Sequence, residues 1–402
     1  MEENMANQAQ YNQPSHDMVR LYSTWANGGF GAILSGHIMI DPTAVGCPAN
    51  VILAKDVFAL QDEEVWKTFI DAGRQNGTKF LLQINHPGRQ AKKGTGLPCY
   101  GASPIAVNIG AGSSAIFDVP IEMSDENIQE VISRFAWTAE KSEELGADGV
   151  EIHAAHGYLI SSFLSPSSNR RQDRWGGSME NRARLLFEVI RAVKKSTNPG
   201  FIVGVKINSA DFQRGGFQSE DLRWVVEHLN DSGLDFIELS GGSFESPTMM
   251  GKLDEKKESK KSASTRSREA YFLRTAQELY GVAKMPIMVT GGISSREILQ
   301  TVVETSHQVL AGIGTAAGIV PDIPKRWESG EHITVTLPDS WVLPRSLTYA
   351  ARNAQVQSNL VRIGAGRQAI ADVWPCPAFL WQRWAEKSQF RQYKAWLHAW
   401  LA

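Results

Sequence analysis

At 402 residues, with 42% hydrophobic and 21% charged positions, the chain has ample material for a large packed core, and general disorder is excluded. Its 41 Lys and Arg against 43 Asp and Glu leave a net charge of −2, a balance that argues against nucleic acid or an anionic membrane surface as partner. The cysteines Cys47, Cys99 and Cys376 are too scattered for a disulfide framework or a CxxC metal site, and neither a signal core nor an apolar run of about 18 residues occurs, so the expectation is a soluble, cytoplasmic chain.

Short apolar runs rich in Val, Ile and Leu recur along the chain with helical patterns between them. The first is Gly31 to Ile38, with His37 near its end, and the second is Lys79 to Asn85, which carries Gln83 and is followed by His86. Glu126 to Leu145 has helical periodicity, with Ser124 and Asn127 spaced as a cap. A third run, Gly149 to Ala155, leads into His153-Ala-Ala-His156-Gly-Tyr158, and Glu151 is expected to point away from these groups. Met179 to Lys195 is a second helix, capped by Ser178. Four more runs follow: Phe201 to Asn208 with Lys206, Asp235 to Gly241, Pro286 to Gly292 ending in Gly291-Gly292, and Gln308 to Gly314. Lys252 to Arg268, dense in Lys, Glu and Ser, reads as a solvated loop over the mouth. The tail carries seven of the 12 tryptophans; Trp381, Trp384, Trp396 and Trp400 approximate a helical stripe, expected to pack on the barrel or on a partner chain. The expected division is a barrel over residues 1–326 and a helical extension over 327–402.

Strands apolar throughout, joined by amphipathic helices, indicate a parallel sheet covered on both faces. No GxGxxG follows the first run, which weakens a dinucleotide-binding reading. Polar residues and glycines instead gather at the C-terminal ends of several runs, where a (β/α)8 TIM barrel keeps its active site. The fold class is therefore α/β, a (β/α)8 barrel, although the runs number seven where a closed barrel needs eight.

Two imidazoles and a phenol within six residues of a strand end point to proton handling. His153 and His156 could ligate a metal or serve a purely structural role, but no third metal ligand is evident. Tyr158 is either a general acid or a packing residue.

The stretch from His153 to Pro166, followed by Asn169 to Arg182, resembles the signature of the Old Yellow Enzyme-type NADH:flavin oxidoreductases. Leu82 to Arg89 resembles the family's flavin-contacting segment, and Gly291-Gly292-Ile293 and Gly312-Ile313-Gly314 resemble its phosphate loops. The resemblance covers roughly residues 1–326 and implies an FMN-dependent ene-reductase that takes electrons from NAD(P)H and acts on a small-molecule enone or enal, with room for a homo-oligomer. It implies that His153 and His156 hydrogen-bond the substrate carbonyl oxygen and that Tyr158 gives a proton to the carbon α to it. Gln83 would meet the flavin pyrimidine edge, Lys206 would face N1 and O2, and Gly291, Gly292, Gly314 and Thr315 would flank the phosphate. No metal is implied, and Asn169, Arg171, Asp173 and Arg182 read as a structural polar network. His37 lies near the expected flavin edge and is given no role.

The chain departs from the family pattern in three places. Met1 is expected to stand just beyond the turn that follows the family's first strand, Thr315 occupies a place where arginine is common, and Val309 one where aspartate is common. These departures keep a second reading open: a family member with weak or no FMN binding, serving as a pseudoenzyme or binding partner. Among family members a role in secondary-metabolite biosynthesis is common enough to be an expectation.

Overall fold

The computed structural model describes residues 2–110, 113–242, 245, 273–338 and 345–402, so the charged stretch Lys252 to Arg268 lies outside the described residues. Eight strands form one sheet: β1 (Ala32–Met39), β2 (Val51–Ile52), β3 (Lys79–Asn85), β4 (Gly149–Ala154), β5 (Ile202–Asn208), β6 (Phe236–Ser240), β7 (Ile287–Thr290) and β8 (Val309–Gly312). Every neighbouring pair is parallel, in the order β8-β7-β6-β5-β4-β3-β1-β2. Seven of these are the apolar runs of the sequence. The eighth, β2, is two residues long and leaves no run to read; it pairs with the far edge of β1 through Ile38–Val51 and Met39–Ile52.

Helices on the outer face include α1 (His16–Ala26), α2 (Glu63–Gly73), α3 (Asp125–Glu144), α4 (Leu159–Leu164), α5 (Met179–Ser196), α6 (Ser219–Leu229), α7 (Arg296–Val303) and α8 (Thr315–Ile319). Their starts follow local chemistry. The Ser124 hydroxyl accepts the N–H of Asn127, whose side chain returns to the Ser124 backbone, a capping box that sets the first turn of α3. Ser178 caps α5 in the same way through the N–H of Asn181. Every residue of β4 and β6 is buried, as central strands of a parallel sheet packed on both faces require.

Among the described residues no ladder joins β8 to β1 or β2, and closure there falls to the helix layer. Trp25 of α1 donates its indole N–H to the carbonyl of Ala317 in α8 at 2.9 Å. Gly28 passes so close that a Cβ would lie 2.2 Å from the Pro321 carbonyl oxygen. Helix α9 (Arg345–Gly364) covers the same seam, where Arg20 donates to the Gly364 carbonyl at 2.7 Å. Inside the seam, the register of β1 slips between Leu34 and His37. The N–H of Gly36 turns to the Glu3 carboxylate at 2.8 Å, and the Tyr22 hydroxyl donates to the same oxygen. Left unpartnered, such a buried N–H would cost about 1–3 kcal/mol.

The last helix, α10 (Pro375–Leu401), lies over the loops that follow β1 and β3. Tyr393 donates to the Pro42 carbonyl at 2.7 Å, Trp396 to Asn12 Oδ1 at 3.0 Å, and Lys92 pairs with Glu386 at 2.8 Å. The tryptophan stripe is only half as expected: Trp396 and Trp400 pack on the barrel around Tyr393 and Leu397, whereas Trp384 is 71% exposed. Twelve residues separate Trp384 from Trp396, which is about three and a third helical turns, so the two pairs face different ways.

Candidate active site

Strand β4 alternates, and its inward face carries Glu151 and then His153. Glu151 therefore points the same way as His153, not away from it as expected. Gln83 Nε2 of β3 donates to Glu151 Oε2 at 2.6 Å. Beyond the strand, His156 adopts a left-handed conformation at φ 61°, followed by Gly157 at φ 78°. A non-glycine residue pays backbone strain there, and the surroundings hold it: its N–H donates to Asn208 Oδ1 at 3.1 Å and its carbonyl accepts from Gln90 Nε2 at 2.8 Å. This turn folds Tyr158 back over the strand end. The His153 ring stands 5.2 Å from that of His156 and 5.0 Å from that of Tyr158.

Both imidazoles are neutral. Burial pushes His153 well below the usual histidine range, helped by His37 and His156; burial and then the Lys206 charge do the same to His156. The Nδ1 of His153 accepts the N–H of Ala155 at 3.2 Å, so the ring proton resides on Nε2. The Nε2 of His156 lies 2.6 Å from the Ser240 hydroxyl at the end of β6.

A buried charge layer lies beneath. Lys206 of β5 donates to Glu238 Oε1 of β6 at 2.7 Å. Burial opposes the charge of Lys206, but the Glu238 carboxylate beside it outweighs burial and holds the amine above the usual lysine range. Burial and the neighbouring Glu238 push Glu151 well above the usual carboxylate range, whereas the Lys206 charge overcomes burial at Glu238 and keeps it low. Two carboxyls thus share one cation, with the proton on Glu151. Gln83 and Lys206 are both buried near the strand ends, each engaged by one of these carboxyls.

The glycine pairs sit side by side, because β7 and β8 pair through Thr290 and Gly312. Gly291 and Gly292 take φ values of 114° and 81°, open only to glycine, and a Cβ placed on Gly314 would meet nothing within 4 Å. Thr315, the first residue of α8, is exposed beside that opening. Backbone this bare suits a phosphate, and the amide of Gln83 and amine of Lys206 are donors of the kind a flavin pyrimidine edge takes, so the residues fit FMN.

Sequence reasoning placed His37 near the site but gave it no role, and missed other members of the cluster. His37 at the end of β1 has its ring 5.0 Å from those of both His153 and Tyr158. Glu2 accepts the Tyr158 hydroxyl at 3.1 Å. Glu238 and Ser240 were also passed over, and Asn208 was noted only as a polar strand end, although the two-residue period of β5 and β6 places Asn208 with Lys206 and Ser240 with Glu238. Among the described residues, no group of three or more His, Cys, Asp or Glu is placed to hold a metal, and no helix is long and apolar enough to cross a membrane. Arg171 pairs with Asp173 and donates to the carbonyls of Ala102 and Met123, and Arg182 binds Asp221 and the Leu164 carbonyl.

Fold and site together define an oxidoreductase-type barrel: a parallel α/β ring with a neutral His-His-Tyr cluster at its mouth and two bare glycine loops on its last strands. The chain belongs to the NADH:flavin oxidoreductase / NADH oxidase family, whose profile matches residues 3–333. Its cofactors are those of the family, FMN and NAD(P)H. The NADH-dependent flavin oxidoreductase iliE of Hypocrea jecorina is 36% identical over 326 residues, 78% of this chain and 80% of that protein. The corresponding iccE of Talaromyces variabilis is 33% identical, covering 76% of each chain. The chain spans 42% of the length of a Neonectria relative, iliE, to which it is 33% identical over 78% of its own length. Among solved structures, the Old Yellow Enzyme homologue from Zymomonas mobilis superposes with a TM-score of 0.66 at 22% identity, covering 84% of this chain and 89% of that one. Morphinone reductase gives 0.64 at 20%, covering 83% and 85%. These likenesses establish the shared fold.

Proposed function

We propose that the protein uses NAD(P)H to reduce the activated C=C bond of an α,β-unsaturated carbonyl compound. The observation that carries this reading is His153: neutral, buried, with Nδ1 engaged by the Ala155 N–H and Nε2–H left as a donor beside Tyr158. The chemistry that FMN supplies when bound is hydride transfer from NAD(P)H to the carbon β to the carbonyl. Gln83 and Lys206 would hold its ring, and Gly291, Gly292, Gly314 and Thr315 its phosphate.

The remaining work falls to the chain. As the β carbon is reduced, negative charge grows on the carbonyl oxygen. His153 Nε2–H donates to it. His156 Nε2 lies 2.6 Å from the Ser240 hydroxyl; with that hydroxyl as the donor, the second imidazole would carry its proton on Nδ1 for the same oxygen. Donors aimed at charge that develops only in the transition state lower the barrier, each by about 3 kcal/mol. Tyr158 delivers a proton from its hydroxyl to the α carbon.

The division into a barrel over 1–326 and an extension over 327–402 belongs to this reading, as do a cytoplasmic setting, which fits three free cysteines, and a place in a biosynthetic pathway, which fits the fungal relatives. The test is anaerobic spectroscopy of the FMN-loaded chain. NADH should bleach the flavin bands, cyclohex-2-enone should restore them, and cyclohexanone should not. A chain that takes up no FMN, or whose colour the enone fails to restore, overturns the reading.

A further inference from the structure

Tyr158 has to regain its proton after every turnover, and its surroundings make that a problem. The side chain is 4% exposed, with the His37 and His153 rings standing edge-on at 5.0 Å each. A phenol so enclosed has little direct exchange with water. One titratable group that touches its oxygen also reaches the surface: Glu2, whose Oε1 lies 3.1 Å from the hydroxyl and whose side chain is 20% exposed.

Glu2 is held in place from three sides. The same Oε1 lies 3.2 Å from His37 Nδ1, a close contact that is not aligned as a hydrogen bond. Its other oxygen accepts from Asn50 Nδ2 at 3.1 Å. The backbone that delivers it is tied to the last helix, where Gln389 Nε2 donates to the Asn4 carbonyl at 3.0 Å and Gln8 Nε2 donates to the Gln389 carbonyl at 2.7 Å. A carboxylate fixed this carefully against a phenol, and open to water on its far side, has a use. Resting on the ene-reductase reading above, we propose that Glu2 is the proton carrier that recharges Tyr158 from solvent, with His37 and Asn50 as its positioning residues.

The proton balance is as follows. When the α carbon takes its proton, a C–H bond forms with the enolate electron pair, the Tyr158 O–H bond breaks, and a phenolate remains beside Glu2. Burial opposes the charge of Glu2, but His37 and Asn50 outweigh burial and hold the resting carboxyl well below the usual carboxylate range, so Glu2 rests ionised and binds a proton only in passing, when a phenolate stands beside it. Glu2 then takes up from solvent the one proton that each turnover consumes and passes it across the 3.1 Å contact, which restores the phenol and the carboxylate together. No electrons move in this step; the reduction is complete before it, with NAD(P)H as reductant.

The proposal separates the first turnover from those that follow, which a merely structural role does not. In Glu2→Gln, Tyr158 starts protonated. Mixing NADH-reduced Glu2→Gln with cyclohex-2-enone and excess NADH should give a burst of one product per site at the rate of the unmodified enzyme. A steady state at least tenfold slower should follow. Glu2→Asp should recover part of the slow phase, and formate added to Glu2→Ala should accelerate it. Flavin reduction by NADH, followed separately, should stay unchanged in all three. Equal slowing of burst and steady state, or a steady state that does not slow, removes Glu2 from this role. The unmodified enzyme run alongside keeps the two claims apart. If it fails to reduce the enone, the reading of the site falls; if it succeeds and Glu2→Gln shows no burst, only the carrier falls.

Discussion

Glu151→Gln should stabilise the protein at neutral and alkaline pH. In the folded chain Glu151 is fully buried, accepts from Gln83 Nε2 at 2.6 Å, and keeps its proton because Glu238 already takes the Lys206 charge. A glutamine reproduces that protonated carboxyl in shape and in donor and acceptor pattern. The sign follows from linkage. A carboxyl whose folded pKa is raised contributes stability that is fully present below its unfolded pKa, about 4.3, and that is lost as pH rises toward the folded value. Within that window the folded chain holds one proton more than the unfolded chain, so wild-type stability falls by about 1.4 kcal/mol per pH unit relative to the glutamine variant. Urea unfolding of both proteins from pH 4 to pH 8 measures it. The two curves should meet at the acid end and diverge as pH rises, with the variant the more stable. Parallel curves, or a variant less stable than wild type at pH 8, would show that Glu151 is ionised and that the charge layer is arranged differently.

Other consequences are as direct. His153→Ala should keep flavin and slow enone reduction roughly a hundredfold, the loss of one oxyanion donor; stopped-flow reoxidation measures it, and unchanged turnover removes His153 from the site. Tyr158→Phe should leave flavin reduction by NADH intact while slowing the enone-dependent step by about a hundredfold or more; impaired flavin reduction instead would refute its assignment as the acid. Gly36→Ala should destabilise the barrel by about 2 kcal/mol in chemical denaturation, because the new methyl would meet Glu3 Oε2 at 1.8 Å and displace the carboxylate from the Gly36 N–H. No loss of stability would mean that the Glu3 contact does not hold the seam.

Seven strands were legible because each is an apolar run buried on both faces, a pattern that survives without knowledge of neighbours. β2 was not, since two residues carry no periodicity. The His-Ala-Ala-His-Gly-Tyr turn was legible because all three chemical groups sit within six residues on one strand end. Glu2 and His37 were not, because they reach Tyr158 from 156 and 121 positions away in the chain and only the folded barrel brings them in. Glu151 was misjudged although strand alternation decides it: positions 151 and 153 share a face. Gln83 and Lys206 were found at the right strand ends, but their carboxyl partners lie on neighbouring strands, and the register that joins them is a property of the sheet.

Isotopic labelling of the product reads directly where the hydrogen atoms go. The enzyme reduces cyclohex-2-enone in D2O with unlabelled NADH, and NMR of the product locates the label. Hydride to the β carbon and a solvent-derived proton through Tyr158 to the α carbon predict cyclohexanone carrying one deuterium at the α position and none at the β position. Deuterium at the β carbon from solvent, or an allylic alcohol formed by reduction at the carbonyl, would contradict the roles given to His153, His156 and Tyr158.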